Sequence, residues 1–138
     1  MPTASNPYWS GWDIRGSAPT YAVGIHHPQG HAKRISDVTA TITPSAYLGA
    51  AGSGSGFWRV PFWSNGTTEG GSSGSALFNQ NRHIIGQLRG GFAACGNNDA
   101  DYYGRISLSW NGNGSPSNRL RDWLDPTGSG AGFLDGNR

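Results

Sequence analysis

Apolar and polar residues alternate along this chain in short runs broken by Pro, Gly and Asn, the period expected of strands rather than helices. Tyr21 to His27 is the first good run and stops at Pro28. Ala32 to Ile42 predicts a second strand, closed by Thr43-Pro44, and Ala46-Tyr47-Leu48 is a short apolar piece. Phe57 to Trp63 reads as a strand near a sheet edge, because Pro61 cannot donate to a ladder. Ala76-Leu77-Phe78 and His83 to Arg89 flank the polar turn Asn79 to Arg82, a hairpin pattern. Tyr102 to Trp110 is mostly alternating and predicts the last strand. About six strands with short connections predict an all-β chain folded as a single antiparallel six-stranded β-barrel. Residues 1–20 form an irregular aromatic lead-in, and a short C-terminal helix is expected over 115–125. Ser115 would cap that helix, Pro116 would open its first turn, and Leu120, Trp123 and Leu124 would share one face before Asp125-Pro126 stops it. No internal repeat is visible.

Composition narrows the class. A chain of 138 residues with 23 Gly, six Trp and 13% charged residues fits one domain of short strands and Gly-rich turns. The segment Ala50 to Gly56 is flexible but too short for a domain linker. A net charge of +2 and a pI near 9.0, with arginines scattered singly, argue against nucleic acid as a partner. No 18-residue apolar run exists, so no membrane span is predicted, and Met1 to Asn6 has neither the basic nor the apolar region of a signal peptide. Cys95 is alone and cannot form an internal disulfide: it is either a reduced intracellular thiol or a cysteine whose partner lies on another piece. Lys33 is the only lysine beside nine arginines, a bias that a GC-rich genome or selection against self-cleavage after lysine would each produce.

The candidate chemistry lies in Glu69-Gly70-Gly71-Ser72-Ser73-Gly74-Ser75-Ala76. Small residues crowd Ser73, and a tight turn there would expose its hydroxyl and aim the amides of Gly71 and Ser73 at one spot, as acyl transfer requires. The alternative is an ordinary Gly/Ser loop between strands. A nucleophile elbow is excluded by context, since it needs a helix after the serine and here a strand follows. His26, His27, His31 and His83 are the available bases, yet no local spacing brings one to Ser73, and an ordinary core or surface role is the expectation for each. His26 and His27 lie on opposite faces of one strand. The three histidines 26, 27 and 31 lack a Cys or carboxylate at usable spacing, so no metal site or cofactor is expected. Asp99 and Asp101 stand out among the acids; Asp101, just before the last strand, is either a solvated loop residue or the base of a pocket selecting a cationic side chain.

Taken together, Trp12-Asp13, Ile25-His26-His27-Pro28, Lys33-Arg34-Ile35-Ser36, Thr68-Glu69 with the glycine-serine loop, Gly86-Gln87-Leu88, Gly90-Gly91, Cys95, Asp101 with Tyr103-Gly104-Arg105, and Arg121 to Pro126 resemble the trypsin-like serine proteases, the bacterial lysyl endopeptidases in particular. The resemblance implies a two-barrel chymotrypsin-like fold, of which residues 1–138 look like the second barrel. It implies Ser73 as nucleophile and the amides of Gly71 and Ser73 as the oxyanion hole. Leu88, Arg89, Gly90 and Gly91 match the strand that pairs with substrate backbone, and Asp101 matches the acid that draws in lysine. The substrate is then a peptide or protein with a basic side chain, and the location is outside the cell.

The same resemblance places the catalytic histidine and aspartate, and the partner of Cys95, in a first barrel upstream of this chain; His26 and His27 match a non-catalytic strand position. Arg89 stands where the lysyl enzymes usually carry a histidine, where it should repel a cation, and Ala76 replaces a proline. No tryptophan matches the family's in the Tyr47-Leu48 region. The isolated chain is expected to be inactive, and its uncovered inter-barrel face to self-associate. A non-catalytic barrel that binds basic peptides and a glycan-binding β-domain, the latter motivated by the six Trp, are the competing readings.

Overall fold

The computed structural model describes residues 6–138 apart from 52, 53 and 113. Met1 to Ser5 of the lead-in and Gly52-Ser53 of the glycine-serine segment therefore lie outside the described residues. The strands are β1 (Trp12–Asp13), β2 (Ala22–His26), β3 (Arg34–Val38), β4 (Thr43–Ser45), β5 (Phe57–Val60), β6 (Ala76–Asn79), β7 (Ile84–Gly91), β8 (Asp101–Arg105) and β9 (Phe133–Leu134). Two short helices, α1 (Ile106–Ser109) and α2 (Arg121–Leu124), lie between β8 and β9. The chain is mostly β, as the alternation requires, but a closed six-stranded barrel is not what forms. Seven strands run in the order β3-β2-β6-β7-β8-β5-β4, antiparallel throughout, with β3 and β4 left as the two ends of an open path. The extra member is β4, which pairs Pro44 with Trp58. Proline reads as a stop in sequence, yet on an outermost strand its missing N–H costs no ladder bond.

The sheet rolls around one core. Ala22, Val38, Ile42, Trp58, Val60, Trp63, Leu77, Ile85, Leu88 and Tyr103 pack together, drawing from both ends of the path. Trp58 donates its indole N–H to Ile85 O (3.2 Å), and Trp63 meets Tyr103 edge-on at 6.2 Å. Both large polar aromatics are thus buried with their dipoles or edges satisfied.

Two further expectations change at the C-terminal end. The run Tyr102 to Trp110 is strand only as far as Arg105, then turns helical. Ile106 is buried, and Trp110 N–H bonds Ile106 O while its ring lies 4.6 Å from that of Trp12. Docking two apolar side chains spaced by four residues overrides an alternation that Ile106, Leu108 and Trp110 satisfy equally well. The single helix expected over 115–125 is instead a 3-10 turn at Pro116–Asn118 and the four-residue α2, separated by an extended Arg119. Ser115 Oγ bonds Ser117 Oγ rather than capping a backbone amide, and Trp123 is 74% exposed, so no buried face holds a longer helix together. Beyond it, β9 pairs with β1, strapping the C-terminal segment to the lead-in, and Asp135 accepts from His83 Nε2 at 2.7 Å, tying it to the start of β7.

Candidate active site

The serine loop is built from two reverse turns whose glycines carry positive φ, Gly71 at 93° and Gly74 at 82°. Ser72 N–H bonds Glu69 O, and Ser75 N–H bonds Ser72 O. At its far end the loop is stitched to β7: Gly74 N–H bonds Leu88 O (2.7 Å) and Leu88 N–H bonds Ser75 O (2.9 Å). At its near end Gln29, itself left-handed at φ 53°, donates its backbone N–H to Gly70 O and its side-chain amide to Glu69 Oε2. Glu69 Oε1 accepts Cys95 N–H at 2.6 Å. The bonds from Cys95 and Gln29 hold the Glu69 carboxyl below its usual range. One carboxylate thus ties together the serine loop, the turn after β2 and the Cys95 loop.

The two serines in this frame have opposite fates. Ser72 is buried, 1% exposed, and its Oγ lies 2.9 Å from His26 Nδ1 while accepting Glu69 N–H. His26, 2% exposed, places Nε2 3.0 Å from Ser36 Oγ, and Ser36 donates onward to Thr67 O. Because Ser36 spends its proton on a carbonyl, it must accept from His26 Nε2–H, which leaves Nδ1 to accept from Ser72. Burial pushes the His26 pKa down, against the pull of the Asp101 charge, so the neutral ring fits this one-way chain. Ser73, by contrast, is exposed, and its hydroxyl bonds no described residue. The backbone N–H groups of Gly71 and Ser73 are likewise unengaged among the described residues.

Past Leu88, the edge of β7 that faces the serine loop is free. Gly90 and Gly91 pair with Tyr102 and Asp101 of β8 on one side and with no described residue on the other. A bulge between Leu88 and Gly90 displaces Arg89, whose guanidinium lies over the Tyr47 ring at 4.4 Å and near Phe57 at 5.7 Å. Arg89 makes no ion pair with Asp101. Asp101 sits beneath Gly91, so close that a Cβ there would come within 2.5 Å of Asp101 Oδ1. Its other oxygen, Oδ2, accepts Thr68 Oγ1–H at 2.5 Å and Trp63 Nε1–H at 2.8 Å. The carboxylate is 1% exposed.

A family model described as lysyl endopeptidase, C-terminal domain, matches residues 1–104. The chain belongs to the lysyl endopeptidase C-terminal domain family. The match ends inside β8, so it contains Gly71, Ser73, Leu88 to Gly91 and Asp101, and stops short of the helices and the β9 strap. The family is one of protease domains, which gives this chain a protease-related origin.

Within this family member, Gly71 and Ser73 lie in the loop that is stitched to Leu88 of β7, Gly90 and Gly91 follow Leu88 on the same strand, and Asp101 lies directly behind Gly91, whereas Arg89 turns away to Tyr47 and Phe57. Asp99 is not part of the cluster; it is exposed and accepts Ala100 N–H. The histidines stay outside it as well. His26 serves Ser72, exposed His27 faces His31 O at 3.1 Å, and His83 serves Asp135. Sequence reasoning missed the Glu69 clamp, the Ser72–His26–Ser36 chain and the Trp63 and Thr68 donors on Asp101. Each joins residues 10 to 46 positions apart, a distance at which local pattern carries no signal.

Proposed function

We propose that this domain carries the nucleophile side of a serine endopeptidase that cleaves after lysine. The observation that carries the reading is Ser73: a free hydroxyl, flanked by unengaged amides of Gly71 and Ser73, at the mouth of a free strand edge. A substrate backbone lying along Gly90 and Gly91 would present its carbonyl to Ser73, and the two amides would hold the oxygen as it gains charge. Asp101, buried behind Gly91, is the acid that would draw in the ammonium of the preceding side chain. In the acylation step the Ser73 oxygen bonds the carbonyl carbon, the amide bond breaks, and the hydroxyl proton passes through a base to the departing amine.

That base is not supplied by the described residues. His26 and His83 are held by other side chains, His27 faces His31 O through Nδ1, and neither these three nor His31 hydrogen-bonds Ser73 Oγ. In a triad, loss of the base costs on the order of 10⁶ in turnover, and the roughly 10³–10⁴ that survives depends on substrate docking. The base is therefore assigned to a second lobe. Ile25 and Ile35, paired across β2 and β3 and 37% and 64% exposed, offer that lobe an uncovered apolar face. Action outside the cell is part of the same proposal; no helix among the described residues is long and apolar enough to cross a membrane.

A fluorophosphonate probe checks the reading. The chain alone should label negligibly at Ser73, and efficient labelling abolished by Ser73→Ala would show that a base is present after all. A second reading, a non-catalytic barrel that binds basic peptides, draws on the same Asp101 without needing a base. Lysine-analogue binding lost in Asp101→Asn, with no turnover when the second lobe is present, would favour it. The glycan reading has less support, since Trp12, Trp58 and Trp63 are core residues.

A further inference from the structure

A groove of about 780 Å³ is lined among others by Phe57 of β5, Gln87 and Arg89 of β7, Arg105 of β8, Leu108 of α1 and Asn118. Two of its lining residues are arginines and none is acidic. Arg89 is stacked on Tyr47 and Phe57 and makes no hydrogen bond or ion pair with a described residue. Arg105 lies 4.4 Å over the Trp58 ring and donates only to the neutral carbonyls of Ser55 and Gly16. Both positive charges are thus held in place by aromatic faces and paired with no acid among the described residues. The side-chain amides of Gln87 and Asn118 also lack hydrogen bonds to described residues, leaving donors for an incoming acceptor.

We propose that this groove binds an acidic peptide segment, its carboxylates against Arg89 and Arg105. The spacing favours a peptide over a single small anion. Arg105 is in register with Gly86, three residues before Arg89, an offset of about 10 Å along the strand. That separation is more than one small anion can bridge, whereas a peptide can bring a separate carboxylate to each arginine. A nucleic acid would call for a longer run of cations than two arginines supply. Arg89 also stands at the bulge beside the free Gly90–Gly91 edge, so the groove is continuous with it. Resting on the proposed function for this one point, the acidic segment belongs to the substrate and adds a preference for acidic residues near the cleaved lysine.

The test uses lysine-free peptides, so that binding is read without cleavage. Fluorescence-labelled hexaglutamate should bind the intact chain and hexaglutamine should not, and raising salt from about 50 to 300 mM should weaken binding several-fold. Gln87→Glu, an exposed and nearly isosteric change, should weaken hexaglutamate binding at least about five-fold with an unchanged thermal midpoint, and Arg89→Gln should act similarly. This pair keeps the test sound if Arg105→Gln disturbs packing on Trp58. Equal binding of the two peptides, full binding by Gln87→Glu, or tighter capture of a hexathymidylate would overturn the proposal. Failure here leaves Ser73 untouched, whereas efficient fluorophosphonate labelling of the lone chain would overturn the assignment of the base to a second lobe and leave the groove standing.

Discussion

Ser72 and Ser73 are neighbours with the same side chain, and the structure assigns them different work, so replacing each by alanine separates fold from chemistry. Ser72→Ala deletes the hydroxyl that donates to His26 Nδ1 and accepts Glu69 N–H. The Glu69 amide is in a half-buried residue and can turn to water at small cost. His26 cannot, at 2% exposure. A buried acceptor left unpaired costs about 1–3 kcal/mol, and at roughly 4 °C per kcal/mol for a chain of this size the thermal midpoint should fall by about 4–12 °C. Ser73→Ala removes a hydroxyl that touches no described partner and should stay within about 0.5 kcal/mol of the parent. Urea unfolding followed by tryptophan fluorescence reads both, with the shift appearing in Cm and not in the slope. Equal stability of the two variants, or a Ser73→Ala loss as large as that of Ser72→Ala, would refute the assignment.

Four further outcomes are expected. The His26 pKa is depressed in the folded chain, so between that value and the unfolded value near 6.5 the unfolded state holds more protons. Stability should be full above about pH 6.5 and decline as pH falls through that window, a decline that His26→Gln flattens; Cm against pH measures it, and an unchanged profile in the variant would remove His26 from the account. The lowered carboxyl of Glu69 acts in a more acidic window, stabilising above its unfolded pKa and losing that contribution as pH falls through the folded value. Gly91→Ala should destabilise by about 2 kcal/mol or more, because its Cβ would strike Ala100 O, which accepts Phe92 N–H, and Asp101 Oδ1, whose carboxylate is fixed by Trp63 and Thr68; a thermal midpoint equal to the parent's would contradict the close approach. The exposed Ile25 and Ile35 should drive concentration-dependent association that Ile35→Lys reduces, as read by sedimentation velocity, and a parent chain that stays monomeric at high concentration would discard that role for the β2–β3 face.

Legibility in the sequence followed the range of the interactions. Strands β2, β6 and β7 were readable because one buried face imposes a period of two, and the turn between β6 and β7 because Asn and Arg82 accept tight backbone geometry; Arg82 has φ 64°. The serine loop was readable because only small residues tolerate Gly71 and Gly74 at positive φ. Beyond Arg105 the reading failed, since Ile106 and Trp110 fit strand and helix alike until Trp12, nearly a hundred positions earlier, supplies a surface for one of them. β4 failed for the converse reason: its proline looks like a terminator until the strand is known to be outermost.

The sequence by itself determined that this is a β-rich domain with a small-residue loop around Ser73, since periodicity and backbone permissiveness are local properties; its kinship with the lysyl endopeptidases lay in the order of its motifs, not in either property. Only the tertiary structure decided which serine is free and which is locked to His26. It alone decided that Asp101 lies behind Gly91 under two hydrogen bonds, and that Arg89 and Arg105 share an acid-free groove. Those facts depend on which distant strands the ladder sets side by side, and hydrogen bonds and charges act through space without regard to separation along the chain.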